Sequence, residues 1–169
     1  MRKIGNILFV ISACLLLAAC NTTTVRSTQT QPVLITNTTI PEELLLDIGI
    51  DIFDPNITEQ KTEELSGYTK ILEAEANYMP FKLMETIQST GNWGVVRVIP
   101  NKQSEMDVWI DGKIVKSDGA TLELDITVSD ASNSKWYSKR YKQEVSKYAY
   151  DNNRGKAEPF QGLYDEIAN

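Results

Sequence analysis

From Met106 to Val145 the chain changes sides at almost every residue. In "TLELDITVSD", Leu122, Leu124, Ile126 and Val128 alternate with Glu123, Asp125 and Thr127. A period of two places the aliphatic set on one face of a strand and the polar set on the other. "MDVWIDGKIVKS" before it carries Val108, Ile110 and Ile114 on one side, and "WYSKRYKQEV" after it is aromatic and basic. Asp118-Gly119 and "DASNSK" lie between these runs and are turn signals. Strands joined by turns this short pair with their sequence neighbours, so the region predicts an antiparallel meander with one buried face. Such a face needs cover.

The flanking segments offer it. In "ELLLDIGIDIFDP", Leu46, Ile48, Ile50 and Ile52 alternate with Asp47, Gly49 and Asp51, a strand pattern with one buried face, stopped at Asp54-Pro55-Asn56. Residues 58–77 are rich in Glu and Lys, with Leu65, Tyr68, Ile71 and Leu72 at helical steps and a potential break at Ser66-Gly67. Pro80, Leu83, Met84 and Ile87 share one helical face. Pro80 either opens that helix or kinks a longer one, and Gly91 suits the position just past its end. "WGVVRVIP" reads as a strand. Near the end of the sequence Phe160, Leu163, Tyr164 and Ile167 follow the i, i+3, i+4, i+7 rule of an amphipathic helix. That pattern runs to Asn169 without a cap signal, as in a short last helix or a piece of a longer chain. The predicted order is strand, helix, four strands, helix. This is an α+β two-layer sandwich, a mostly antiparallel sheet with helices packed on one face.

The first twenty residues belong to a different regime. Arg2 and Lys3 precede an apolar run from Ile4 to Ala19. It is shorter than the ~20 residues of a spanning helix and has the layout of a secretory signal. Leu17-Ala18-Ala19-Cys20 resembles the lipobox of bacterial lipoproteins. The resemblance implies cleavage before Cys20, a diacylglycerol on its thiol and acylation of the new amino terminus. In that family an aspartate after the cysteine commonly retains the protein at the inner membrane. Asn21 departs from that pattern and implies the periplasmic face of the outer membrane. The expected organisation is a signal over 1–19, a Thr-rich tether over 20–41 and one domain over 42–169. With Cys14 removed and Cys20 acylated, no disulfide is available.

Composition narrows the chemistry. Without Arg2 and Lys3 the chain keeps 15 basic and 23 acidic residues, a net charge of −8. That does not suit a general nucleic-acid binder. The sequence has no histidine, hence neither the commonest metal ligand nor the usual proton shuttle near neutral pH. Serine–histidine and cysteine–histidine machinery is thereby excluded, while carboxylate chemistry is not. Asp47, Asp51 and Asp54 are oxygen ligands of the kind hard cations take. However, Asp47 and Asp51 lie about 13 Å apart along a strand, too far to share an ion without a bend. Asp107, Asp111, Glu123 and Asp125 could act as an acid–base pair across the meander, but out-facing positions beside Lys113 favour cross-strand charge pairing. No cofactor or metal is expected.

From Asp107 to Tyr141 the meander resembles that of periplasmic assembly lipoproteins: transport auxiliary lipoproteins, the TolB amino-terminal domain, penicillin-binding-protein activators and curli-secretion lipoproteins. Asp107, Gly112, Ile114, Asp130 and Ala131 carry the likeness. It implies a non-enzymatic role in envelope transport or assembly. The surface to which such a role would fall is the basic and aromatic strand, with Tyr137, Lys139, Arg140 and Tyr141 as candidate partner-binding residues. The competing reading is an edge strand guarded by lysines, with its aromatics in the core. The expected function is a membrane-anchored adaptor that binds another envelope protein. The acidic stretch from Glu42 to Glu75 permits self-association with the basic strand. Two other classes stay open, a carrier of a lipid or other apolar ligand and a carboxylate-dependent wall hydrolase.

Overall fold

The computed structural model describes residues 30–35, 40–57, 66–150 and 158–169. The predicted signal, Cys20, most of the tether, residues 58–65 and residues 151–157 lie outside them. Among the described residues, five strands and two α-helices make an α+β fold: β1 (Ile48–Ile50), α1 (Ser66–Thr90), β2 (Val96–Val98), β3 (Val108–Ser117), β4 (Thr121–Asp130), β5 (Lys135–Glu144) and α2 (Gln161–Ala168). The sheet order is β2-β1-β3-β4-β5.

The meander forms as its alternation requires. β3–β4 and β4–β5 are antiparallel, with Ile114 opposite Leu124 and Leu124 opposite Tyr141. Leu122, Leu124, Ile126 and Val128 are all buried. A register shift between Ile114 and Lys116 leaves Val115 without a partner and brings Ser117 opposite Leu122. Asp118 closes the first turn by accepting from the amides of Ala120 (3.0 Å) and Thr121 (2.7 Å). Asp130 closes the second, accepting from Ser132 and Ser134.

The other half of the sheet corrects the sequence reading. β1 pairs in parallel with both β2 and β3, so the sheet is mixed. β1 is therefore an interior strand, and both its faces are covered. Ile48 and Ile50 are buried on one side, whereas Leu46 is largely exposed. On the other side Gly49 is buried beneath Trp109; a β-carbon there would stand 2.6 Å from the ring. Gly112 makes the same kind of room for Phe53.

α1 is one continuous helix through Pro80. Leu72, Ala76, Met79, Leu83 and Ile87 form its buried stripe. Ile71, expected on that stripe, is one step off it and 56% exposed. Proline has no N–H for the carbonyl four residues back. That carbonyl, on Ala76, accepts instead from the amide of Phe53 (3.1 Å). The helix ends at Gly91, whose φ of 68° a glycine adopts freely. β1 and β2 are thus joined through α1 as a parallel crossover.

Both helices feed one core. Leu83 and Ile87 of α1, and Leu163, Tyr164 and Ile167 of α2, share a buried cluster with Ile110, Ile114, Leu124, Ile126 and Tyr141 of the sheet. The apolar face predicted for α2 is the buried one, Phe160 included. Asn169 caps α2 through its amide to the carbonyl of Asp165 (3.1 Å).

Candidate functional site

β5 is an edge strand, and its two faces have different fates. Tyr137, Lys139 and Tyr141 lie opposite Val128, Ile126 and Leu124, on the side of the helices. Tyr141 is 5% exposed, so it supports the strand from within the core and is not open to a partner. Lys139 lies 4.3 Å above the Tyr141 ring and reaches Glu166 of α2 (3.2 Å). Arg140 points to the other face. Its guanidinium grips Asp125 at 2.6 and 2.7 Å and meets Glu123 at 3.3 Å. This hydrogen bonding holds the Asp125 carboxyl below the usual carboxylate range. Lys142 pairs with Glu144 (2.9 Å). The cations at 139, 140 and 142 are therefore engaged within the molecule.

Tyr137 is different. With Ile48, Ile87, Trp93, Trp136 and Ile167 it lines a cavity of about 210 Å³ between the inner face of the sheet and the end of α2. Trp136 is 49% exposed and Tyr137 42%. Burial, with the Tyr141 hydroxyl beside it, pushes the Tyr137 phenol up to about 12. Tyr137 is legible from the sequence as a site residue, whereas Trp93 and Ile167 are not. No periodicity links them to β5, because they arrive from the α1–β2 connection and from α2.

The acidic candidates are tied into the fold. Asp47 accepts from the amide of Val95 (2.7 Å), and its own amide donates to Asp107 (2.8 Å). Asp51 accepts from the amides of Ile52 and Asn101. Asp54 accepts from that of Asn56 and faces Lys113 at 3.7 Å. Asp111 pairs with Lys102 (2.8 Å). Asp125 and Lys113 are cross-strand partners. Among the described residues no group of three or more Asp, Glu, Cys or His converges on a metal-sized site. One acid is less settled. An oxygen of Glu75 is buried without a hydrogen-bond partner among the described residues, beside Tyr78, Tyr150 and Tyr164.

Among the described residues no helix is long and apolar enough to cross a membrane. No family model matches the chain, and no curated protein matches it. Among solved structures it is similar to a dodecamer of a PelC point variant from Paraburkholderia phytofirmans, at 12% identity, covering 85% of this chain and 87% of that one, with a TM-score of 0.41.

Proposed function

We propose that the protein is a lipoprotein of the bacterial envelope, held through Cys20 at the periplasmic face of the outer membrane. Its domain acts there as a non-catalytic adaptor in transport or assembly. The domain is a two-layer sandwich with both helices on one face, antiparallel along most of its paired length. The observation that carries the adaptor role is the aromatic cavity beside β5. Exposed tryptophan and tyrosine at the mouth of an apolar recess are the composition of an interface hot spot. Size separates this reading from the carrier reading. Small-molecule pockets run from about 300 to 1,000 Å³. A recess of about 210 Å³ takes one large side chain more readily than an acyl lipid.

A photo-crosslinker placed at Trp136 or Tyr137 in the intact envelope tests the assignment, with Glu73 on the outer side of α1 as the control position. Discrete protein adducts from 136 and 137, and none from 73, are expected. Lipid adducts from both positions would transfer the cavity to the carrier reading. Silence at both would remove the docking surface.

A further inference from the structure

The segment just ahead of the domain does not hang free. The Asn169 side chain accepts from the amide of Leu34 (2.7 Å) and donates to the carbonyl of Pro32 (3.3 Å). In an extended chain those two groups flank residue 33 and point the same way. One side-chain amide at the end of α2 thus pairs with this backbone as a neighbouring strand would. It reads an extended main chain, whatever its side chains.

A second contact lies at the other end of the helix. The side-chain position left vacant by Gly162 is filled by Thr30, and is bordered by Gln143 of β5 at 3.3 Å. The step from Gly162 to Asn169 is about 10 Å of helical rise. Three extended residues, from Thr30 to Val33, cover about the same distance. Glu166, which holds Lys139, lies between the two contacts on the same side of α2. The segment therefore runs along α2 beside β5, and it ends at Asn169, on the rim of the aromatic cavity.

We propose that residues 30–35 are a releasable strap, seated along α2 by the Gly162 notch and the Asn169 amide, which sets the distance of the domain from its anchor. The seat itself is independent of the anchor; its effect on distance rests on the lipoprotein reading. With the strap seated, about ten residues separate Cys20 from the domain, at most about 35 Å of chain. With the strap released, the next described tie is Leu46, whose carbonyl accepts from Gly94. About twenty-six residues then intervene, up to about 90 Å. Two hydrogen bonds at an exposed site hold the seat, so a partner binding at the cavity rim can displace it.

Two measurements separate the seat from its consequence. Hydrogen exchange on the full mature chain carrying Cys20→Ser reads the seat alone. The Leu34 amide should exchange about fivefold slower than an unstructured amide, the factor expected for a hydrogen bond of ~1 kcal/mol. Asn169→Ala should abolish that protection. Gly162→Ala favours the helix but fills the notch, so it should also abolish it, and Thr30→Gly on top of Gly162→Ala should restore it. Unprotected Leu34 in the parent chain, or protection indifferent to Gly162→Ala, overturns the strap. Energy transfer from a dye on the domain to a lipid dye then reads distance, using acylated protein in vesicles. Gly162→Ala should lower the transfer efficiency and Thr30→Gly/Gly162→Ala should recover it. Equal efficiencies in all three, with the exchange results intact, would leave the seat standing and refute its control of distance.

Discussion

Trp109 and Gly49 show how one missing side chain fixes a sheet. The Trp109 ring covers the glycine, and the Lys102 ammonium, paired with Asp111, sits 5.5 Å from the centre of that ring. A methyl at position 49 would meet ring atoms at 2.6 to 2.9 Å. Gly49→Ala should therefore destabilise the protein by about 1–3 kcal/mol, the usual cost of overpacking. A urea-unfolding midpoint measures it, and adding Trp109→Leu should recover part of the loss. Asp125 makes a different prediction. Arg140 holds its carboxyl below the usual range, chiefly by hydrogen bonding. A carboxyl depressed by folding adds stability above its unfolded value near 3.9. It loses that stability as pH falls through the folded value. The stability gap between the parent chain and Asp125→Asn should be widest above the unfolded value and narrow as pH falls below it. With the Asp125 and Arg140 side chains 34% and 55% exposed, the gap is small and shrinks further in salt. Paired denaturation curves across pH check it; a gap that grows on acidification would contradict the assignment.

At the scale of elements, Pro80 is the informative case. An interior proline costs a helix about 3 kcal/mol or more, partly through the hydrogen bond it cannot donate. Here the orphaned carbonyl of Ala76 is occupied by Phe53, which fastens the chain after β1 to the middle of α1. Pro80→Ala should therefore change stability by much less than about 3 kcal/mol, because the new amide competes with a bond already made. A gain of the full amount in denaturation would mean that the Phe53 bond contributes little. The same residue marks the limit of what sequence discloses. Its position left two readings, a helix start or a kink, and the bond that decides between them joins Ala76 to Phe53, a residue far back in the chain beyond β1. β3 to β5 were legible because alternation and turn residues act locally. β1 and β2 are only three residues each, too short for alternation to reveal that both faces of β1 are buried. Their parallel pairing is a long-range fact with no local signature. The site divides the same way: Tyr137 could be read from its strand, while Trp93, Ile167 and the seat for residues 30–35 depend on elements meeting in space.

For the whole molecule, charge and lipid make opposite predictions about attachment to a membrane. Two sources of attraction are open to such a chain, charge and lipid, and salt weakens only the first. The cluster at 135–147 is basic and aromatic, but Lys139, Arg140 and Lys142 are neutralised by Glu166, Asp125, Glu123 and Glu144. The chain as a whole is acidic, with a net charge of −6, which opposes binding to anionic head groups. Acyl chains on Cys20 would instead contribute about 0.8 kcal/mol per buried methylene, with more than one chain needed for stable attachment. That term does not depend on ionic strength. Membranes carrying the protein should therefore retain it through a wash at about 1 M salt, where charges are screened beyond about 3 Å, and release it only to detergent. Cys20→Ser should leave the domain folded and move it to the soluble fraction. The mass of the amino-terminal peptide should show the acyl groups directly. Release by salt, with an unmodified peptide mass, would shift attachment from residue 20 to the basic and aromatic strand β5. The adaptor would then be a peripheral protein whose docking strand and membrane contact are one surface.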